Sequence, residues 1–152
     1  MTRSQPHVDP KQILIVDDNK MGLSARRALL EAVGHVITTA ACGADALKVV
    51  DGGGAFDLVV TDYKMPNMNG VELIAELRVR NPVLPIILIS GFTDTLGLNE
   101  DNTQADVVLQ KSSNEVTQLM RAVSKLLNKA PGRKPPGAAS RTAVIPKRRQ
   151  QN

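Results

Sequence analysis

The sequence predicts an α/β domain, doubly wound, in which a five-stranded parallel sheet carries helices on both faces. Three observations lead there. Short aliphatic runs recur along the chain, four or five residues each at most and bounded by turn residues, which is the length and setting of buried strands. The segments between several of them place apolar residues at helical spacing. Strand and helix patterns also alternate, as crossover connections between parallel strands require.

The elements follow in order. The run Ile13-Leu14-Ile15-Val16 sets a first strand over 12–16, and residues 20–33 read as a helix stopped by Gly34, which suits a left-handed cap. A β-branched strand over 36–40 and a short helix over 44–50 come next, the helix broken by Gly52-Gly53-Gly54. Leu58-Val59-Val60-Thr61 forms the third strand, and a helix over 71–80 ends before Asn81-Pro82. A fourth strand covers 86–89 and a short fifth 107–109. Val116, Leu119, Met120, Val123, Leu126 and Leu127 then fall at helix spacing and mark the last helix. Between Phe92 and Ala105 the chain is polar and has no convincing apolar stripe, so only a short, mobile helix is expected there.

Composition narrows the function classes. With two Phe, one Tyr and no Trp, the core has to be aliphatic. No apolar run approaches the roughly 20 residues of a membrane span, and the first residues lack the apolar region of a signal peptide. A lone cysteine, Cys42, fits a reducing cytoplasm and reads as a small packing residue rather than a nucleophile. The net charge of +4 conceals a division, because all 15 acidic residues precede residue 129 while 7 of the 19 Lys/Arg lie at 129–152. Residues 1–10 therefore read as a disordered arm, 11–128 as a mildly acidic domain, and 129–152 as a basic Pro/Gly-rich disordered tail. General nucleic-acid binding by the domain is disfavoured, leaving at most a weak contribution from the tail.

Chemistry gathers at the strand ends. The first strand runs into Asp17-Asp18, the third into Asp62, the fourth into Ser90, and the fifth into Lys111. In a parallel α/β sheet the carboxyl ends of the strands line the ligand crevice. Clustered carboxylates repel one another unless a cation offsets them, and hard oxygen donors of this kind suit Mg2+ accompanied by phosphate. A hydroxyl and an ammonium facing a carboxylate can bind the oxygens of a transferred phosphoryl group, which implies carboxylate attack on phosphorus. Taken singly, each residue has a plainer reading. Asp17-Asp18 could cap a helix, Asp62 could form an Asx turn, and Ser90 and Lys111 could be structural and solvated.

Asp17-Asp18, Asp62 in the loop Asp62-Tyr63-Lys64-Met65-Pro66-Asn67-Met68-Asn69-Gly70, Ser90 and Lys111, in that order and each at a strand end, resemble the receiver domain of two-component response regulators over about residues 11–128. The resemblance implies the flavodoxin-like strand order 2-1-3-4-5. It makes Asp62 the phosphoacceptor, with Asp17, Asp18, Asp62 and the backbone carbonyl of Lys64 holding Mg2+, and Ser90 and Lys111 binding the phosphoryl group. The implied partner is a histidine kinase or phosphotransfer protein. The protein would catalyse only its own phosphorylation and dephosphorylation, and would signal by protein contact or by passing phosphate on. It also makes Lys64 and Phe92 positions that influence how fast the acyl phosphate hydrolyses.

Two departures stand out. Ser112 replaces the proline that usually follows the lysine through a cis bond, and Val108 replaces the aromatic residue usual three positions before it. A cis bond before a non-proline residue costs roughly 2.5–4 kcal/mol, so either that strain is present or the loop takes another path. The alternative these departures raise is a phosphorylation-independent interaction module of receiver fold. A Mg2+-dependent phosphatase fits less well, since Lys64 stands where a second acid would be needed.

Overall fold

Alternation along the strands sorts the aliphatic residues onto the two faces of one sheet. The computed structural model describes residues 9–91 and 96–128. Its strands are β1 (Gln12–Val16), β2 (Val36–Ala40), β3 (Leu58–Asp62), β4 (Ile86–Ser90) and β5 (Val107–Gln110), all parallel, in the order β2-β1-β3-β4-β5. The helices are α1 (Lys20–Val33), α2 (Gly43–Asp51), α3 (Gly70–Arg80), α4 (Glu100–Thr103) and α5 (Glu115–Leu127). This is the doubly wound, flavodoxin-like arrangement that the sequence implied.

The period of two assigns each strand residue to a core. Ile13, Ile15, Leu58, Val60, Ile87 and Ile89 pack with Leu30 of α1 and with Leu119, Val123 and Leu126 of α5. Leu14, Val16, Val59, Ile86 and Leu88 pack with Ala46 of α2 and with Leu73, Ile74 and Leu77 of α3. Water is excluded from both faces, which is why β1, β3 and β4 read as continuous apolar runs. Each fully buried Leu or Ile contributes about 1.5–3 kcal/mol relative to an exposed one, so the central strands hold the site's scaffold rigid.

Local signals set the helix ends. Asn19 caps α1 by accepting from the Gly22 N–H, and Gly34 closes it at φ 117°, a left-handed conformation that suits glycine. Asn69 and Glu72 form a reciprocal capping box at the start of α3. Helix α2 begins at Gly43, one residue before the predicted start, because Cys42 has extended backbone and its Sγ lies 3.5 Å from the Asp45 N–H. The thiol is half-buried at a cap rather than a member of the core. In the weak segment, α4 is a single turn capped by Asn99 and Asn102. Within the expected arm only Asp9 and Pro10 are described, and the expected tail, 129–152, lies outside the described residues. Among those residues no helix is long and apolar enough to cross a membrane.

Candidate functional site

Register decides which strand ends meet. Val16 pairs with Thr61, so the residues that follow them, Asp17 and Asp62, emerge side by side. Asp62 pairs with Ile89, just before Ser90, and Ser90 pairs with Gln110, just before Lys111. Asp17, Asp18, Asp62, Ser90 and Lys111 therefore share one edge of the sheet.

Carboxylate oxygens of Asp17, Asp18 and Asp62 lie within 4.8 Å of one another. Asp17 and Asp62 are buried, whereas Asp18 is exposed. The capping role that Asp17-Asp18 could have played belongs to Asn19, whose N–H donates to Asp17 Oδ1 at 2.9 Å. Lys111 Nζ stands 2.8 Å from Asp62 Oδ1. That contact is an ion pair, and among the described residues no other donor reaches Oδ1. Burial pushes the Asp62 carboxyl above the usual range, and the neighbouring Asp17 charge adds to the rise; Lys111, and more weakly Arg26, oppose it. Ser90 is buried at the end of β4, and its carbonyl accepts from the Lys111 N–H at 2.9 Å, which ties the two residues together.

The loop after β3 is built to turn sharply. Asn67 adopts φ 71°, and the Gly70 N–H donates to the Tyr63 carbonyl at 2.7 Å. A Cβ at position 70 would fall 2.7 Å from Leu88 Cδ1 and 3.0 Å from Tyr63 Cα, so only glycine lets α3 start against the end of β3. Lys64 lies in this loop with an exposed side chain. Phe92 falls outside the described residues.

After Lys111 the chain takes a trans path, since no peptide bond among the described residues is cis. Ser112 starts the turn into α5 instead: its Oγ accepts from the Asn114 N–H at 3.2 Å and its carbonyl from the Glu115 N–H at 3.1 Å. Val108 is half-buried against the α2/α3 core, and its N–H donates to Glu100 Oε2 at 2.9 Å.

Three residues that the sequence reading passed over complete the site. Arg26 of α1 is 5% exposed and donates from Nη1 to Asp17 Oδ2 at 2.7 Å. Its Nε and Nη2 donate to Glu115 Oε2 at 3.1 and 2.9 Å. Gly22 makes room for this pairing, because a Cβ there would stand 2.9 Å from Asp17 Oδ2. A signal was available: Leu23, Arg26 and Leu30 fall on one helical face, so an arginine occupies a core position and needs a buried partner.

The donor set suits a hard divalent cation. Three carboxylates approach closely, and among the described residues the buried Asp62 Oδ1 is met only by the partly exposed Lys111 ammonium.

Fold and site together define a flavodoxin-like α/β domain with a carboxylate cluster at its sheet edge. Residues 13–124 match the response regulator receiver domain, and the chain belongs to that family. It is 39% identical over 88 residues to the Regulator of RpoS of Escherichia coli K12, covering 58% of this chain and 26% of that protein. With the transcriptional regulatory protein TcrA of Mycobacterium tuberculosis H37Rv it shares 38% identity over 130 residues, 81% of this chain and 49% of the relative. The chain thus spans about a quarter to a half of the length of these relatives. Among solved structures, the response regulator TrrA of Thermotoga maritima in complex with Mg2+-BeF superposes with a TM-score of 0.69 at 33% identity, over 77% of this chain and 99% of that one. A response regulator receiver domain protein of Clostridium thermocellum gives 0.70 at 26%, over 78% and 94%.

Proposed function

We propose that this receiver domain is a phosphoacceptor, taking a phosphoryl group from a phosphohistidine onto Asp62. The observation that carries this reading is the close approach of Lys111 to a buried Asp62 inside a three-carboxylate cluster. In the step itself an Asp62 carboxylate oxygen attacks phosphorus, and the phosphorus–nitrogen bond breaks as the phosphorus–oxygen bond forms. Its electron pair leaves with the donor imidazole, and the product is an acyl phosphate. Lys111 favours the charged, nucleophilic form of Asp62 against the burial that raises its pKa. The Lys111 ammonium and the Ser90 hydroxyl then bind phosphoryl oxygens.

Asp17, Asp18, Asp62 and the Lys64 backbone carbonyl would hold Mg2+, which when bound neutralises charge on the phosphoryl oxygens. The TrrA relative, solved in complex with Mg2+-BeF, supports Mg2+ as the ion. Residues 11–128 form the receiver unit, flanked by an arm at 1–10 and a basic tail at 129–152. Its donors are a histidine kinase or a phosphotransfer protein, and its output is a protein contact or onward phosphotransfer. A sensor kinase, CckA of Brucella abortus, shares 30% identity over 118 residues, 77% of this chain and 12% of that kinase.

The test is incubation with Mg2+ and either beryllofluoride or a small phosphodonor, read by calorimetry and intact mass. A response that disappears in Asp62→Asn supports the proposal. No response from the unaltered protein would favour a phosphorylation-independent interaction module, the reading to which Val108 lends weight.

A further inference from the structure

The receiver reading uses Lys111 as its cation and leaves Arg26 without a task. Arg26 is nevertheless buried beside the cluster, 5% exposed and bonded at 2.7 Å to Asp17, which is 2% exposed. With the Asn19 N–H on Oδ1 and Arg26 on Oδ2, both Asp17 oxygens already have donors. Arg26 also lies along a cavity of about 320 Å3 between α1 and α5, whose lining includes Asp17, Gly22, Lys111 and Glu115. Its second partner, Glu115, sits in the first turn of α5.

We infer that Arg26 is a resident counter-cation of the acid cluster: it occupies Asp17, lowers the affinity of the site for Mg2+, and is itself restrained by Glu115. The inference rests on the Mg2+ site of the proposed function. Three acids within 4.8 Å repel one another, and a guanidinium fixed against one of them relieves that repulsion permanently. An arriving divalent ion has to compete for the Asp17 oxygen and to accept a positive charge a few ångströms away. At the effective dielectric of a protein, that proximity is worth about tenfold or more in affinity. Glu115 acts in the opposite sense. By accepting both Nε and Nη2 it offsets the guanidinium from the far side, and with 21% exposure its influence is the smaller. Arg26 is thus a positioning residue, and it links occupancy of the acid cluster to the start of α5.

Mg2+ titration by calorimetry on the full chain separates this role from simple packing, because the two substitutions move affinity in opposite directions. Arg26→Met is expected to tighten Mg2+ binding about tenfold, and Glu115→Gln to weaken it about threefold. The Arg26→Met gain persists at high salt, since the pair is buried and poorly screened. An unchanged or weaker affinity in folded Arg26→Met, or an unchanged or tighter one in Glu115→Gln, overturns the inference and leaves the receiver reading intact. Should Arg26→Met fail to fold, the direction of Glu115→Gln decides. If the unaltered protein binds no Mg2+, the metal site and this inference fall together.

Discussion

On the α1/α5 side of the acid cluster, Asp17 is buried, has donors on both oxygens, and is paired with an arginine that is buried as well. On the β5 side, Asp62 Oδ1 is met among the described residues only by Lys111, whose side chain remains 42% exposed. The strands repeat the contrast, since β3 and β4 are buried along their whole length while β5 is half-buried at best. One flank is closed and holds its charges in place. The other has an open edge, with a lysine in reach of water and a strand that is only half covered. The acid cluster thus has fixed acids on one side and a solvent-exposed cation on the other.

The contrast should show first in stability. Arg26→Met leaves Asp17 buried and unpaired, which is expected to cost about 3–5 kcal/mol, whereas Lys111→Met costs about 1 kcal/mol or less because water can replace a half-exposed ammonium. Urea unfolding in the presence of a chelator measures both, and equal losses would erase the distinction between the flanks. Next come the strands. Ile87→Ala, at a fully buried position of β4, is expected to lose about 2–5 kcal/mol; Val108→Ala on β5 should lose about 1 kcal/mol. A Val108 loss as large as that of Ile87 would mean that β5 is structurally central.

The acid itself provides a smaller test. Asp62 binds its proton more tightly in the folded chain than in the unfolded one, because burial outweighs Lys111. Its ionisation therefore costs stability as pH rises from the ordinary Asp value of 3.8 through the higher folded-state value. Asp62→Asn removes that cost, so the variant should be the more stable at pH 7, with the advantage vanishing below the ordinary Asp range. An advantage that grew on acidification would reverse the assigned sign. The smallest effect is expected for Glu100→Gln, which weakens the bond to the Val108 N–H by about 1 kcal/mol or less. Slowed hydrogen exchange at Val108 in that variant would contradict the bond's protective role on the edge strand.

Much of this was legible from residue order. Aliphatic runs marked four strands and a β-branched stretch the remaining one, Gly34 and Asn81 marked helix ends, and the three acids, Ser90 and Lys111 could be picked out because each stands at a strand end. Misplacements were small and had local causes, such as the Cys42 cap that starts α2 a residue early. The described part of segment 92–105 was harder to read because α4 is one turn long and carries almost no apolar stripe.

What residue order could determine was each strand's position and the acid at its end, since burial on both faces demands unbroken aliphatic runs and polar residues must stand where those runs stop. What only the tertiary structure decided was which ends meet and which charges offset one another. Asp17 stands beside Asp62 because Val16 registers with Thr61, and Arg26 turns from a misfit on an apolar helix face into the partner of Asp17 and of Glu115, 89 residues further along the chain. Charge pairing depends on distance in space, and no local pattern records a contact made across that separation.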